Sequence, residues 1–424
     1  MATTIAESGK ETPVVHDTDV LVCGGGPAGI AAAVAAARQG ALVHLVELHG
    51  CLGGVWTAGK LSHIIDYDNK TGIMAEIMDR LQERGASGPD YDVEVMKRLL
   101  DELCLDAGVQ VRLQTRVVDA VRTDDGEALA AVITESKSGR EAWQADVFVD
   151  ATGDGDLAAR AGCAYEYGHP ETDTGQPMSL MGLISGVRAQ DIDEFIVGPR
   201  GHEAPKDRLL GEFEIAGIEP SYGRPTIFQI HRDLFALMAN HEYDVSPFDA
   251  DEISEATLRA RKEVNELVDA LRSLGGVWTD LRLVGTGAQL GVREGRRIRG
   301  LYEVDIEDIA AGVEHEDAIC RVNFVVDVHS LDPEDGTGYE GDPRSQPYDI
   351  PLRALITRDV EGLLLAGRCI SGDFLAHASY RVTGNAVAMG EAAGVTAAIA
   401  ADRDEVPREL PWEVLEPHLP AVER

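Results

Sequence analysis

The segment from Asp19 to Glu47, DVLVCGGGPAGIAAAVAAARQGALVHLVE, constrains this chain more than any other stretch. An apolar run enters Gly24-Gly25-Gly26-Pro27-Ala28-Gly29, which fits G-x-G-x-x-G, and an alanine-rich run leaves it. A second apolar run, from Ala41, ends at Glu47, roughly 20 residues on. This order of strand, glycine turn, helix and strand predicts a βαβ unit. The three motif glycines act differently. Gly24 makes the turn, Gly26 lets the backbone approach a pyrophosphate, and Gly29 lets helix and strand pack closely. Pro27 and Ala28 open a helix whose N-terminal dipole and free N–H groups favour phosphate, and Glu47 is placed to accept from a ribose diol.

At 424 residues the chain is long enough for two joined domains. Its 44% hydrophobic and 26% charged residues are those of a folded globular protein, and no run approaches the roughly 18 apolar residues of a membrane helix. Residues Met1 to Asp17 are polar and acidic, and they read as a short flexible leader on a cytoplasmic protein. The 74 acidic residues against 38 basic ones leave a net charge of -36, which repels phosphate backbones and argues against a nucleic-acid partner. Only seven basic residues are lysines, a bias shared by halophilic proteins and by arginine-rich genomes with ordinary acidic surfaces. The six cysteines (Cys23, Cys51, Cys104, Cys163, Cys320, Cys369) form no C-x-x-C pair, so no metal site and free thiols are expected.

Further along, helical spacing returns at Val93, Met96, Leu99, Leu100 and Leu103, ended by Gly108. Short strands are expected at Val109 to Leu113, around Ala130 to Glu135, and at Ala145 to Asp150. Between about Gly175 and Asn323 the texture is less regular, with one amphipathic helix around Leu258 to Leu274. An extended turn-rich loop at Asp332 to Pro347, a strand at Gly362 to Ala366 and a small-residue helix from about Gly384 to Ala401 complete the reading. The division is therefore a leader (1–17), a first part of the nucleotide domain (18–174), an inserted α+β substrate domain (175–325) and a returning part (326–424).

Six segments together carry a family resemblance: the glycine-rich unit, GCLGG at Gly50 to Gly54, DATGDGDLAARAGC at Asp150 to Cys163, GVREGRRIRG at Gly291 to Gly300, LLLAGRCIS at Leu363 to Ser371, and the last helix. The chain resembles FAD-dependent oxidoreductases with the glutathione-reductase-type FAD fold, related to the flavin subunit of heterodisulfide reductase. The resemblance implies an α/β fold with a Rossmann-like FAD domain, and FAD rather than NAD in the first site. It also implies that Gly53 and Gly54 lie beside the cofactor, that Val117 touches the adenine, and that Ala151-Thr152-Gly153-Asp154 lie by the dinucleotide. Gly367 and Arg368 would approach the ribityl chain and pyrophosphate. Thr383-Gly384-Asn385 would face the flavin pyrimidine, where a helix N-terminus stabilises the negative charge of a reduced flavin.

Candidate catalytic groups follow from that placement. Oxidation of a C–H bond by flavin needs the donor carbon at N5 and a base for the accompanying proton. His377, between AGRCIS and the last helix, and His63, after GCLGG, are the first choices, with His329 a third; each has the alternative of a hydrogen-bonded structural histidine. Arg381 suits an anionic substrate, and the cluster Arg293, Arg296, Arg297 and Arg299 suits either a carboxylate ligand or ion pairs with Glu303 and its neighbours. Gly285 to Gly291 has a nucleotide-loop look, but the arginines after it do not suit a helix packed on a sheet, and it reads as no NAD site. Cys51 and Cys369 are a weaker pair for a dithiol relay, because only Cys51 follows the glycine loop.

The function expected is hydride transfer from a small polar substrate to FAD, with an unnamed electron acceptor and an open oligomeric state. A C=C reductase, a flavin monooxygenase and a non-catalytic electron-transfer subunit stand as alternatives.

Overall fold

The structure, a computed structural model, describes residues 9, 11–86, 88–198, 203–332 and 345–423. Most of the expected 332–347 loop, residues 333–344, lies outside the described residues, as does the start of the leader. The fold is mixed α/β with a largely parallel, Rossmann-like core.

Its first strands are β1 (Val14–Cys23), β2 (Val43–Val46), β3 (Gln110–Arg112), β4 (Arg116–Arg122), β5 (Leu129–Ser136) and β6 (Gly139–Asp150). They lie in the order β3-β2-β1-β6-β5-β4. β1 pairs in parallel with β2 and β6, whereas β4, β5 and β6 form an antiparallel meander. The first residues of β6 serve that meander and its last ones take a parallel strand, Leu363–Leu365, in register Leu363 to Phe148. β1 begins within the expected leader, since Val14 already pairs with Ala142. Alternation of apolar and polar residues is weak there (VVHDTD), and only the partner strand reveals the extension.

The helix α1 (Pro27–Arg38) is almost wholly buried, because alanine and glycine let it pack from both sides. Against it lies the C-terminal helix, Thr383–Arg403. A Cβ at Gly390 would fall 2.0 Å from the carbonyl oxygen of Ala28, and one at Gly394 would fall 2.1 Å from that of Ala32. The two helices therefore meet backbone to backbone, and any larger residue at either glycine would drive them apart.

A second sheet is antiparallel and four-stranded, in the order Arg282–Thr286, Gly182–Ser185, Leu234–Met238, Thr226–Gln229. The helices Glu203–Ile215 and Ala250–Ser273 accompany it, and Ile184, Phe213, Phe235, Leu267 and Trp278 form its separate core. The longer helix starts eight residues before Leu258, because the Asp249 side chain accepts from the N–H groups of Asp251 and Glu252 and starts it. Ile298, Val304, Ile309 and Cys320 join the large core, and Arg297–Ile298 pairs with Tyr165–Glu166.

One buried acid couples this packing to pH. Glu391, on the C-terminal helix, accepts the N–H of Ile73 at 2.8 Å and so caps the helix Gly72–Glu83. Burial pushes its carboxyl up to about 7 from the ordinary 4.5. The folded chain thus holds a proton that the unfolded chain releases. The associated stability is complete below about 4.5 and is lost as pH rises through about 7, a difference of roughly 3 kcal/mol. Glu391→Gln keeps an acceptor for Ile73 without the charge. Thermal melts should show the variant gaining on the parent at pH 8 and matching it near pH 4.5. A difference that does not change with pH would contradict this assignment.

Candidate functional site

A large cavity of about 1270 Å³ runs from the end of β1 across to the second sheet. Its near half is built by the glycine turn. Gly24 takes φ +101, and a Cβ there would lie 2.4 Å from the Ala151 carbonyl oxygen; a Cβ at Gly29 would lie 1.8 Å from that of Gly24. The turn, α1 and the segment after β6 are thus locked together by backbone contacts. Gly26 differs: a Cβ on it would meet nothing within 4 Å, and the residue lines the cavity. It stands at the N-terminus of α1, which has no side-chain cap and no acid in its first turn.

Of the residues expected to hold cofactor, Gly24, Gly26, Pro27, Ala28, Glu47, Gly54, Val117, Ala151, Thr152, Gly153, Asp154, Gly367, Arg368 and Thr383 line the cavity. Four do not. Gly29 packs inside the turn, and Gly53 is drawn under it by an N–H donated to the Gly25 carbonyl at 2.7 Å. Gly384 donates its N–H to Ile65 and has the Asp66 backbone against its Cα. Asn385 is fully buried and accepts from the Cys320 thiol. Glu47 is more committed than expected, because its carboxylate already takes the N–H of Gly25 at 2.5 Å and of His49 at 2.7 Å. A carboxylate has about four lone-pair sites, so room remains for a diol. Arg368 is held 2.9 Å from Asp154.

The expected catalytic histidines are displaced. His377 is fully buried, away from the cavity wall, with neither ring nitrogen hydrogen-bonded to a side chain, and burial among arginines holds it well below its usual range. It lies on a short helix, Phe374–Tyr380, whose register turns it into the core. His63 lies outside the cavity lining, pairs with Asp90 at 2.8 Å and stacks on Phe228. Arg381 does line the cavity, but its guanidinium is bound to the Asp327 carboxylate at 3.0 Å, so it is not a free anion site.

The far half of the cavity holds the groups that sequence ranked lower or missed. His329 lines it, with Nε2 3.4 Å from Asp327 and Nδ1 without a partner. Burial, then the charge of Arg293, lowers this imidazole to about 4, so it is neutral at physiological pH. Asp327 is held below the usual carboxylate range although burial opposes its charge, because His329 and Arg381 outweigh that penalty. His241, with burial and Arg293 both disfavouring its charged form, stands between Arg293 and Tyr243 at 3.2 Å from each. Tyr222 lines the cavity and lies against the His241 ring, with centroids 4.2 Å apart.

The arginine cluster divides. Arg293 faces the cavity, Arg297 forms a buried pair with Glu294, Arg296 binds Asp156 at 3.0 Å, and Arg299 pairs with Glu303 and Glu166. The loop after the second glycine pattern lines the same cavity and leads into no helix. All six cysteines are free, and neither Cys51 nor Cys369 lines the cavity.

A protein-family model described as FAD dependent oxidoreductase matches residues 19–419. The chain belongs to this family. Its cofactor is FAD, and the near half of the cavity suits that group: an uncapped helix N-terminus and an open Gly26 face space a dinucleotide fills. Solved structures similar to this chain include a geranylgeranyl bacteriochlorophyll reductase-like protein from Thermoplasma acidophilum, at 13% identity over 95% of this chain and 82% of that one (TM-score 0.47). Others are a flavin-dependent brominase, at 11% identity over 94% and 82% (TM-score 0.48), and p-nitrophenol 4-monooxygenase from Pseudomonas putida DLL-E4, at 11% over 95% and 84% (TM-score 0.46). Among the described residues no helix is long and apolar enough to cross a membrane.

Gly26 offers a clean test, because its side of the turn is empty in the protein alone. Gly26→Val should fold with an unchanged apoprotein melting point and lose FAD affinity by at least about tenfold, as phosphate contacts to the helix N-terminus are blocked. Flavin content after purification and fluorescence titration of the apoprotein measure this. Full FAD occupancy in the variant would move the phosphates elsewhere.

Proposed function

We propose that this enzyme oxidises a small polar substrate at a carbon bearing a hydroxyl or amine, within a glutathione-reductase-type arrangement of the FAD domain. Bound FAD supplies a two-electron acceptor, and the chain supplies binding, orientation and proton removal. The observation that carries the reading is the Arg381, Asp327 and His329 array on the cavity wall.

A base must be neutral when the substrate arrives and stabilised once it is charged. His329 meets both needs. Its low affinity for a proton keeps it neutral, and Asp327 beside Nε2 favours the imidazolium that forms after proton uptake. With Nε2–H directed at Asp327, Nδ1 is the nitrogen left to accept; it has no hydrogen-bond partner and is buried behind the wall, so proton transfer to it requires the ring to turn toward the cavity. Arg381 fixes Asp327 through both its carboxylate and its backbone carbonyl, each at 3.0 Å. Arg381 is therefore a positioning residue.

Tyr222 supports a second reading. Burial raises its hydroxyl above the ordinary 10, so it stays protonated, and a held proton donor beside the cavity suits reduction of an activated C=C bond. The two directions separate in one anaerobic experiment. Oxidation predicts bleaching of the yellow protein by hydroxy or amino compounds, and reduction predicts reoxidation of the dithionite-reduced protein by unsaturated acids.

For the oxidative reading, His329→Gln should slow bleaching by about 10²–10⁴-fold with FAD content unchanged. In the parent, the bleaching rate should be flat with respect to this group between pH 5 and 8. It should fall about tenfold per unit below about 4, as His329 takes up its proton. Rates within about tenfold of the parent in the variant would remove His329 from the chemistry.

A further inference from the structure

The far wall of the cavity holds one cation with no carboxylate of its own among the described residues. Arg293 lines it, half-buried, and its Nη1 donates to the Pro177 carbonyl while Nη2 meets His241 Nε2 at 3.2 Å. Among the described residues no carboxylate lies within 4.0 Å of it, and Asp327 is bound to Arg381. The other cations of the wall are engaged: Arg368 with Asp154, Arg296 with Asp156, Arg224 with Asp207, and Lys206 with Glu203 at 3.6 Å. Arg116 has no such partner either, but it is exposed at the rim beside Val117.

Burial and the nearby charge of Arg381 both disfavour the Arg293 charge, yet a guanidinium does not shed its proton in proteins. A charge kept out of water without an acid is costly, and a ligand anion removes that cost. We infer that Arg293 binds the carboxylate of the substrate, and that the substrate is a small monocarboxylic acid rather than a sugar or an amine. The inference rests on the proposed oxidation only for what happens after binding.

Two further observations set the class. Arg293 is the sole half-buried cation of the far wall without an acid partner among the described residues, so one carboxylate is matched and a second would find only cations already paired. Met181, Met238 and Leu290 also line the cavity at the edge of the second sheet and give apolar surface for the body of the acid. His241 acts on Arg293 as a positioning residue. Its neutral ring accepts at Nε2 and shares Nδ1 with the Tyr243 hydroxyl, which holds the guanidinium in one direction. Protonation of that ring would set two cations 3.2 Å apart.

The test uses the FAD-loaded protein and probes without an oxidisable group, so that binding is read apart from turnover. Butyrate and butyramide are titrated by calorimetry, with the flavin absorbance recorded in parallel. Butyrate should bind at least about tenfold more tightly than butyramide. Arg293→Gln should weaken butyrate by about ten- to a hundredfold and leave butyramide unchanged, with Arg293→Lys between. His241→Phe should weaken butyrate in the same direction while leaving FAD content intact. Equal binding of acid and amide, absence of butyrate binding to the parent, or full butyrate affinity in Arg293→Gln would each overturn the inference. A protein that binds butyrate through Arg293 but is bleached by no hydroxy or amino acid would keep the carboxylate site and reject the oxidative reading.

Discussion

The contact between α1 and the C-terminal helix is the constraint on which the rest of the structure depends. Gly390 and Gly394 bring one helix onto the carbonyls of Ala28 and Ala32 in the other, so segments about 360 residues apart in sequence share one register. That register fixes where Gly367 and Thr383 stand relative to Gly26. Gly367 faces Ala28 closely enough that a Cβ on it would lie 3.2 Å from the alanine methyl. The phosphate-binding turn and the Gly367 and Thr383 segments beside it are therefore positioned by one backbone-to-backbone contact, with no flexible side chain between them. This explains why both helices are so poor in large residues while the second core carries phenylalanine and tryptophan. The first packs for closeness and the second for volume.

What the sequence made legible was local. The turn Gly24 to Gly29, α1 and Glu47 are each specified within a short window, by φ, by small side chains and by spacing. Gly108 closes the helix Val93–Ala107 at φ +82, and Asp92 caps its start, so both ends were readable. Illegible features depend on partners distant in the chain. The extension of β1 to Val14 requires β6, and the second sheet joins strands from Gly182 to Thr286 through pairings that no periodicity announces.

The histidines show the same limit more sharply. His377 was near the cofactor by chain position, but direction rather than proximity decides what a side chain meets, and its helix turns it inward. His329 had no better local pattern, and it reaches the cavity because the segment Val325 to His329 lies along the wall that Arg381 and Arg293 complete. His241 belongs to no chemical motif of the sequence. Its role rests on Arg293, 52 residues away, and on Tyr222, and the only sequence signal was the short run His241-Glu242-Tyr243 of polar and aromatic residues before an Asp-capped helix.

Charge joins these threads. The chain as a whole carries nearly two acids per base, 74 against 38, yet eight arginines and lysines and only five carboxylates line the cavity. An excess of three positive charges inside a strongly negative protein creates a local well for anions, deepest where the walls exclude water. The two phosphates of a dinucleotide carry one negative charge each and, in the near half, meet helix N–H groups as well as side chains. In the far half, Arg293 is the cation whose hydrogen-bonding neighbours include no acid. The positive excess of the wall draws anions into the cavity, and the hydrogen bonding of one guanidinium then selects where in the far half a single carboxylate is held.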